Sequence, residues 1–353
     1  MKAVLLAAGK GTRMQGLCDE LPKPLMPVAS RPVLVHTIGQ LEEAGVSDVL
    51  LVVGHQARLV RNGLGRRCGN VRLHYALQED PRGTGQATAL AEDFAAGQPF
   101  LMMFGDIVTS RRHLPEIAAI YAEERPSALL SVRYFRDPAS GGAVYVEGDR
   151  VVRIVERPEP GQTTTHYINA GIFVLPPEIF DLLRQVELSP RGEYELTDAI
   201  AMLLEAGRTV RAYELEGFWI NVTDPATCLE AQRELFAETG VPGSQVPPHV
   251  AVDGPVVVAG SCELGPCRLG PNVSVSEACT VGAGARVRDA IVLAGGTVGQ
   301  DAIVEGAVVG MNARVEPGAR LVGDPGGEAA VLLHGESFPP GCAAPDGRRA
   351  RGH

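Results

Sequence analysis

The sequence predicts an α/β domain followed by a parallel β-helix, and three features predict it. Short apolar runs typical of buried strands alternate with helical patterns from the start of the chain to about residue 230. A loop containing glycine follows the first apolar run. After Gly240, aliphatic residues recur every six positions, which is typical of a hexapeptide-repeat β-helix. We therefore expect an α/β domain over 1–240, a β-helix over 251–325 and a polar tail over 326–353.

Size, charge and cysteine content narrow the class of protein. A chain of 353 residues is long enough for two domains, and a net charge of −10 argues against a surface that binds nucleic acid. No apolar run approaches the roughly 18 residues of a membrane span, and Met1-Lys2 leads directly into a strand, so we expect no signal peptide. The seven cysteines are odd in number and show no Cys-x-x-Cys spacing. We expect a cytoplasmic protein with reduced cysteines that binds neither nucleic acid nor membrane.

The order of the elements predicts where a ligand binds. We predict strands over 4–7, 49–53 and 99–104, and helices over 34–45 and 88–94. Alternation at this spacing predicts a parallel sheet with helices on both faces. In such sheets ligands bind beyond the carboxyl ends of the strands, so the loops after the apolar runs form the candidate site.

The first of these loops has the composition of a phosphate-binding turn. Gly9 and Gly11 allow backbone N–H groups to approach an anion, because glycine has no Cβ and tolerates positive φ. Arg13 and Lys23 add two cations beside the turn. The spacing is neither a Walker loop nor the dinucleotide pattern G-x-G-x-x-G. Read alone, residues 7–11 fit a plain turn equally well; the two cations favour a polyphosphate.

The longer string, with Thr12, Arg13 and Pro22-Lys23, resembles the signature of the sugar-1-phosphate nucleotidyltransferases. That resemblance implies a Rossmann-like domain with a mixed, mostly parallel sheet, followed by a left-handed β-helix. It implies a nucleoside triphosphate and a sugar 1-phosphate as substrates, with Mg²⁺ as cofactor. It also implies roles for Arg13 on the leaving pyrophosphate and for Lys23 on the α-phosphate. The nucleotide-binding residues that it implies are Leu6, Ala7, Ala8, Gly9, Gly11, Thr12, Gln78, Gly83 and Thr84.

The second loop, residues 77–87, is a surface turn or a base-binding loop. The Gln78 amide has a donor and an acceptor, which complement the N3–H and the carbonyl oxygens of uracil or thymine. By resemblance to the family, members that take guanine carry an acidic residue at this position, where this chain has Gln78. UTP or dTTP is therefore favoured over GTP.

Two residues are candidate Mg²⁺ ligands. Asp106 follows a buried strand, where a carboxylate needs a cationic partner, although capping a helix is the structural alternative. Asn221, two residues after Trp219, falls where the family has a metal-binding Asp or Asn. Asp224-Pro225 competes with it but is better explained as the start of a helix over 226–238.

A third group of residues matches the sugar-contacting segments of the family. By resemblance, Gly142 and Glu156 hydrogen-bond sugar hydroxyls, Arg157 replaces a lysine that holds the sugar phosphate, and Asn169 lies on a sugar-contacting strand. Gly141 stands where many members have tyrosine, and Ala170 departs from the threonine of the N-acetylglucosamine-1-phosphate enzymes. Residues 192–200 are predicted to form an acidic turn with an Asp/Thr cap that begins an amphipathic helix.

The C-terminal repeat predicts assembly and not a second activity. Acyl transfer on a β-helix needs a base such as histidine, and residues 251–333 contain no histidine and no lysine. We therefore expect a homo-oligomer formed through the β-helix. The aliphatic positions are Val252, Val258, Leu264, Leu269, Val275, Val281, Val287, Leu293, Ile303, Val309, Val315 and Leu321.

These features predict attack by a sugar 1-phosphate oxygen on the α-phosphorus of a nucleoside triphosphate, with release of pyrophosphate. The nucleophile is already an anion, so positioning and charge neutralisation carry the rate. Two alternatives remain open: a guanylyl- or cytidylyltransferase for mannose 1-phosphate, a cyclitol phosphate or phosphocholine, and a non-catalytic regulatory or scaffold subunit.

Overall fold

A computed structural model describes residues 1–136, 141–159, 161–241, 246–324 and 326–341. The chain divides into two compact units. The first consists of Met1–Lys10 and Leu34–Trp219, and the second of Gly11–Val33 and Ile220–His353. The loop that follows the first strand thus passes into the second unit, whereas the predicted domain boundary falls at residue 240.

The elements before the C-terminal region are β1 Lys2–Ala7, β2 Pro27–Val28, β3 Arg31–Pro32, α1 Val33–Glu43, β4 Asp48–Val53, α2 Ala57–Leu64, β5 Arg67–Cys68, β6 Val71–Leu77, α3 Thr84–Ala89, α4 Glu92–Ala95, β7 Phe100–Phe104, β8 Ile107–Thr109, α5 His113–Glu124, β9 Ala128–Tyr134, β10 Ala143–Glu147, β11 Arg150–Val155, β12 Tyr167–Leu175, α6 Ile179–Leu183, α7 Leu196–Glu205, β13 Val210–Glu214, β14 Trp219–Asn221 and α8 Pro225–Thr239. Two 3-10 helices span Thr12–Met14 and Lys23–Leu25.

Ten strands of the first unit form one mixed sheet in the order β10-β11-β13-β9-β12-β7-β1-β4-β6-β5. The pairs β7 with β1, β1 with β4, β4 with β6, and β13 with β9 are parallel. The remaining neighbours are antiparallel. A mixed sheet is therefore confirmed. The prediction that the sheet is mostly parallel holds only in the half centred on β1 and is wrong for the sheet as a whole, because β12 is antiparallel to both of its neighbours.

The parallel half of the sheet is built from apolar runs that are buried on both faces. Val4 and Leu5 of β1 are fully buried, as are Leu101 and Met102 of β7. Two aromatic rings extend this core, since Phe100 stacks on Phe180 of α6 with 5.4 Å between ring centroids. Burial on both faces explains why these strands read as continuous apolar runs rather than as alternating patterns.

Helix positions agree with the sequence except at one place. The helix expected over 34–45 is α1, Val33–Glu43, but the helix expected over 88–94 is two short helices, α3 and α4. The Thr88 hydroxyl donates to the Thr84 carbonyl oxygen at 2.8 Å, a bond that competes with the regular helical pattern. The chain turns at Leu90 and Ala91 between the two helices.

In the second unit, the C-terminal strands are β15 Ala251–Val252, β16 Val256–Val258, β17 Glu263–Leu264, β18 Arg268–Leu269, β19 Val273–Val275, β20 Thr280–Val281, β21 Arg286–Val292, β22 Thr297–Val298, β23 Ile303–Val309, β24 Arg314–Val315, β25 Arg320–Val322, β26 Ala330–Leu332 and β27 Ser337–Phe338. We call residues 251–338 the strand stack. All pairs within it are parallel among the described residues.

The strand stack repeats at close to 17 residues. Val256 pairs with Val273, and Val273 pairs with Ala290 in the next layer. Most of the predicted aliphatic positions are buried, including Leu269 and Val315. Val252 is an exception at 48% exposure, because it lies in the first layer and has a neighbouring strand on one side only.

Between Leu269 and Leu321, the spacing of core positions shortens from six to five at two places. Val304 lies in the core where Ile303 was expected, and Ile303 is only half-buried. Asp289 and Gly306 take left-handed conformations, with φ of 45° and 58°, and each marks a corner at which one residue is lost from the spacing.

The strand stack also continues past its predicted end at residue 325. β26 pairs with β23, and β27 pairs with β24. The first part of the predicted polar tail is therefore ordered strand. Residues 342–353, including Cys342, lie outside the described part of the chain.

The six cysteines within the described residues are free thiols, as expected. No helix in the described ranges is both long and apolar enough to cross a membrane.

Candidate nucleotide and sugar-phosphate site

In the first unit, the carboxyl ends of β1, β4 and β7 meet at one edge of the sheet. The Gly105 N–H donates to the Leu6 carbonyl oxygen at 2.8 Å, which fixes the turn after β7 against β1. A Cβ at Gly105 would lie 3.0 Å from that oxygen, and a Cβ at Gly54 would lie 2.8 Å from the Ala8 carbonyl oxygen. Glycine at both positions therefore allows the loops after three neighbouring strands to come together. The predicted residues Leu6, Ala7, Ala8 and Gly9 lie here.

Asp106 lies in the turn between β7 and β8, at the same edge. Because β8 is a strand, Asp106 does not begin a helix, and the capping alternative is wrong. The carboxylate-bearing residue is half-buried and makes at least one interaction within the protein.

Gln78 follows β6, is 6% exposed, and its amide has a defined orientation. The Arg82 N–H donates to Gln86 Oε1 at 2.9 Å, so this oxygen is an acceptor. Gln78 Nε2 donates to the same oxygen at 2.8 Å and to the Gly83 carbonyl oxygen at 3.3 Å. Both partners only accept, so the NH₂ group of Gln78 must face them. Gln78 therefore presents Oε1, and not its NH₂ group, in the opposite direction.

The Gly83 backbone requires glycine. Its φ is +105°, and a Cβ there would lie 2.5 Å from the Tyr194 carbonyl oxygen. The hydroxyl of Thr84, another predicted nucleotide residue, accepts the Leu196 N–H at 3.1 Å. That bond ties the start of α3 to the start of α7.

The predicted sugar residues Gly142, Glu156 and Asn169 lie together in the first unit. The Asn169 N–H donates to the Gly142 carbonyl oxygen at 2.8 Å. A Cβ at Gly142 would lie 3.2 Å from Glu156 Oε2 and 3.5 Å from Asn169 Cβ. The Thr197 hydroxyl donates to Glu156 Oε2 at 3.0 Å. The Glu156 carboxylate is thus held on one oxygen by Thr197.

The other oxygen of Glu156 faces two arginines. Arg157 Nε lies 3.8 Å from Glu156 Oε1, and Arg191 Nη1 lies 3.6 Å from it. The Arg157 side chain is 59% exposed, and its backbone is left-handed with φ of 37°. Its guanidinium therefore lies beside the carboxylate but remains open to solvent.

Sequence reasoning missed Glu195 and misassigned Thr197. Helix α7 begins with Glu195 at its N-cap, where no side chain makes a capping bond, so the predicted Thr/Asp cap is wrong. Thr197 is used to hold Glu156 instead. Glu195 is 3% exposed and accepts from Ser189 Oγ at 3.2 Å, while Arg191 Nη2 lies 3.3 Å away.

Acidic groups line an open cleft of about 800 Å³ beside the Glu156 cluster. Burial raises the pKa of Glu195, and the neighbouring Glu156 carboxylate raises it further. Burial likewise raises the pKa of Asp198. The cleft is lined by Glu156, Arg157, Glu195 and Asp198, among others, so charges of both signs face it.

In the second unit, the cationic segment, residues 11–33, carries both predicted phosphate-binding cations. Gly11 is left-handed with φ of +67°, and a Cβ there would lie 3.0 Å from Cys18 Sγ and 3.3 Å from Lys23 Cβ. Close packing of Cys18 and Lys23 therefore requires glycine at 11. Burial raises the pKa of the Cys18 thiol to about 11, so it stays protonated at neutral pH. Thr12 and Arg13 are exposed, and Lys23 is half-buried.

Asn221 also lies in the second unit, and its side-chain oxygen is exceptional. Oδ1 is buried and has no hydrogen-bond partner within the described residues. Asp224, its competitor, forms a capping box for α8 with Thr227, with bonds of 2.9 and 3.0 Å. The Asp224 side chain is thus used in the helix start, as expected. The described residues contain no cluster of three or more His, Cys, Asp or Glu side chains that could hold a metal ion.

Comparison with known families identifies the chain. The sequence model of the family described as nucleotidyl transferase matches residues 2–238. This chain belongs to that family. A second model, described as the GMPPB C-terminal domain, matches residues 251–335. The predicted enzyme class, a sugar-1-phosphate nucleotidyltransferase, is therefore confirmed at the level of the family.

Individual relatives differ in the substrates that their names state. The chain is 31% identical over 242 residues to the UTP–glucose-1-phosphate uridylyltransferase AglF of Haloferax volcanii, covering 68% of this chain and 98% of the relative. It is 30% identical over 335 residues to the probable mannose-1-phosphate guanylyltransferase 1 of Oryza sativa subsp. japonica, covering 91% and 89%. A solved UDP-glucose pyrophosphorylase complexed with UDP-glucose aligns with a TM-score of 0.60 at 20% identity, over 67% of this chain and 98% of that one, and so shares the fold.

Proposed function

We propose that this nucleotidyl transferase joins UTP or dTTP to a hexose 1-phosphate, such as glucose 1-phosphate, and releases pyrophosphate. The observation that carries the proposal is the meeting of the loops after β1, β4 and β7, which brings the glycine turn and Asp106 to one edge. Among the described residues, a Cβ at Gly9 would meet no atom within 4 Å, so packing within this part of the chain does not require glycine there. Close approach of a ligand phosphate to the backbone does explain it.

The orientation of Gln78 supports a base with an N–H at the recognised edge. Its presented Oε1 accepts a hydrogen bond, which suits the N3–H of uracil or thymine. Cytosine and adenine place an acceptor nitrogen at the equivalent position, so two acceptors would face each other. The NH₂ group of Gln78, which was expected to donate to the base, donates to Gln86 and Gly83 instead. The carbonyl oxygens of the base therefore need donors from the backbone.

The chemistry proposed is displacement at the α-phosphorus. A sugar 1-phosphate oxygen attacks as an anion, the bond from the α-phosphorus to the bridging oxygen breaks, and pyrophosphate leaves. No group has to remove a proton from the nucleophile. We assign Arg13 to the leaving pyrophosphate and Lys23 to the charge that develops on the α-phosphate. Glu156, oriented by Thr197, accepts from sugar hydroxyls, and Arg157 meets the sugar phosphate.

The Asn221 side chain supports a magnesium site. A buried carboxamide oxygen without a partner is costly, and ligation of a hard cation would satisfy it. We propose Asp106, in the first unit, and Asn221, in the second, each as a ligand of Mg²⁺. When bound, the ion would neutralise phosphate charge.

A guanylyltransferase that acts on mannose 1-phosphate is the second candidate. The match of the C-terminal region to the GMPPB C-terminal domain favours it. The Gln78 oxygen could also accept from guanine N1–H, although it takes only one of the two adjacent donors that a carboxylate takes. We further infer that the strand stack is a left-handed β-helix through which copies of the chain assemble. The parallel pairing at a repeat near 17 residues supports the β-helix.

Pyrophosphate release, measured with Mg²⁺ across UTP, dTTP, GTP, CTP and ATP paired with several sugar phosphates, tests the proposal. We expect the highest kcat/KM with UTP or dTTP and a hexose 1-phosphate. A preference for GTP with mannose 1-phosphate would replace the first candidate with the second. Release with CTP alone, or with no pair, would reject both.

A further inference from the structure

His334, near the end of the strand stack, hydrogen-bonds the cationic segment. Its Nδ1 accepts the Met311 N–H at 2.8 Å, and its Nε2 lies 2.9 Å from the Leu17 carbonyl oxygen. A backbone N–H only donates and a carbonyl oxygen only accepts. Both bonds are therefore made by a neutral imidazole with its proton on Nε2, which donates to Leu17.

Leu17 is a well-anchored point of the cationic segment. Its side chain is fully buried, and its N–H donates to the Met14 carbonyl oxygen at 3.0 Å. It lies between Arg13 and Lys23 in the sequence, so its position constrains the backbone on both sides. All of these residues belong to the second unit.

Gln232 of α8 makes a second contact with the segment. It is fully buried, and its Oε1 accepts the Ala29 N–H at 3.2 Å and the Ser274 hydroxyl at 2.6 Å. Its Nε2 donates to the carbonyl oxygens of Asn272 at 2.9 Å and Ala290 at 3.1 Å. One side chain thus joins α8, the strand stack and the turn between β2 and β3, with every donor and acceptor used.

We propose that His334 and Gln232 are positioning residues that hold the cationic segment in its phosphate-binding conformation, so that the C-terminal region orders the segment that carries Arg13 and Lys23. Lys23 lies between the two points of attachment, Leu17 and Ala29. The proposal rests on the proposed function in one respect, the assignment of Arg13 and Lys23 to phosphates. In this role both residues act through the backbone of the cationic segment and not by contact with substrate.

Two substitutions at one position separate this role from a purely structural one. His334→Gln places an amide nitrogen near the Nε2 position and keeps a donor for Leu17 while losing the acceptor for Met311. His334→Asn does the opposite, because its shorter amide reaches only the Met311 N–H. Positioning predicts that the Asn variant raises the KM for the nucleotide about fivefold, the factor that one net hydrogen bond represents, while Gln does not. If His334 had only a structural role, His334→Gln should instead be the harmful substitution. It loses the bond to Met311, which lies within the strand stack.

Hydrogen exchange of the ligand-free full chain gives a readout that needs no catalysis. In His334→Asn, peptides covering residues 11–33 should exchange about fivefold faster than in the unsubstituted protein. Peptides covering 268–298 should be unchanged. Unchanged exchange in 11–33 together with an unchanged KM overturns the proposal, even if the enzyme is active. An unsubstituted protein that releases no pyrophosphate rejects the proposed function, while the exchange comparison still decides whether His334 orders the segment.

A measurement on the unsubstituted protein covers the case in which His334→Asn does not fold. The Ala29 N–H lies in a turn, where amides ordinarily exchange quickly, but it is buried and bonded to Gln232. Slow exchange at Ala29, resolved by NMR, supports the second contact. Fast exchange there overturns it.

Discussion

Gln86 Oε1 lies 2.8 Å from Gln78 Nε2, and this contact determines which end of the Gln78 amide is presented at the base loop. The Arg82 N–H donates to the same Gln86 oxygen and so fixes its polarity. Without Gln86, only the longer bond to Gly83, at 3.3 Å, would orient Gln78.

Gln86→Met should therefore weaken base selectivity while leaving the fold intact. Gln78 could then rotate and present its NH₂ group, which suits the acceptor nitrogen of cytosine. We expect the preference for UTP over CTP, as a ratio of kcat/KM values, to fall about fivefold, the value of one net hydrogen bond. Steady-state pyrophosphate release measures this ratio. Gln98→Met, at an exposed position in the same unit, is the control; equal ratios in the two variants would contradict the assignment.

Lys23→Ala should reduce turnover far more than nucleotide binding. The assigned role is on charge that develops in the transition state, so the loss in kcat should be about 10²- to 10³-fold. Steady-state kinetics measures the turnover, and equilibrium dialysis measures the nucleotide binding. The chain has only three lysines, Lys2, Lys10 and Lys23, so lysine acylation with and without nucleotide can be read residue by residue. Bound nucleotide should protect Lys23 from acylation. Normal turnover of Lys23→Ala would contradict the assignment of Lys23 to the α-phosphate.

Gly11→Ala should disturb the same segment from the backbone. Alanine at φ of +67° is strained by about 1 kcal/mol, and its Cβ would press on Cys18 and Lys23. We expect a lower unfolding free energy, measured by urea denaturation, together with a higher KM for the nucleotide. Gly207→Ala is the matched control, since φ is +73° there but a Cβ would meet no atom of the described residues within 4 Å. An equal effect of both variants on KM would contradict a specific role for the packing at Gly11.

Asn221→Asp and Asn221→Leu should move the magnesium requirement in opposite directions. A carboxylate binds a hard cation more strongly than an amide oxygen, whereas leucine removes the ligand. The Mg²⁺ concentration that gives half-maximal activity should fall in the first variant and rise several-fold in the second. Mn²⁺ binding followed by electron paramagnetic resonance provides a readout apart from turnover. Asn62→Asp, at an exposed position on α2, controls for added negative charge. Identical titrations in all variants would remove Asn221 from the metal site.

The sequence predicted what depends on local pattern and missed what depends on distant partners. The apolar runs of β1, β4 and β7 and the glycine turn after β1 could be read directly, because buried strands and ligand loops carry their own composition. The antiparallel course of β12 could not, since pairing is decided by strands far apart in the chain. Gln86 was missed, and Thr197 was misassigned to a helix cap, for the same reason. Each acts on a predicted residue, Gln78 or Glu156, through a contact that only the fold creates.

Thr197→Val should test whether the orientation of Glu156 matters for the sugar phosphate. Valine keeps the shape of threonine but removes the hydroxyl that donates to Glu156 Oε2 at 3.0 Å. A hydrogen bond to a charged group is worth about 1.5–3 kcal/mol, so we expect the KM for the sugar 1-phosphate to rise about tenfold or more while the KM for the nucleotide is unchanged. Thr197→Ser should restore the hydroxyl and the KM. Thr209→Val, which is exposed, should change neither constant. If valine and serine at 197 raise the KM equally, the hydroxyl has no such role and packing against Glu156 decides the effect.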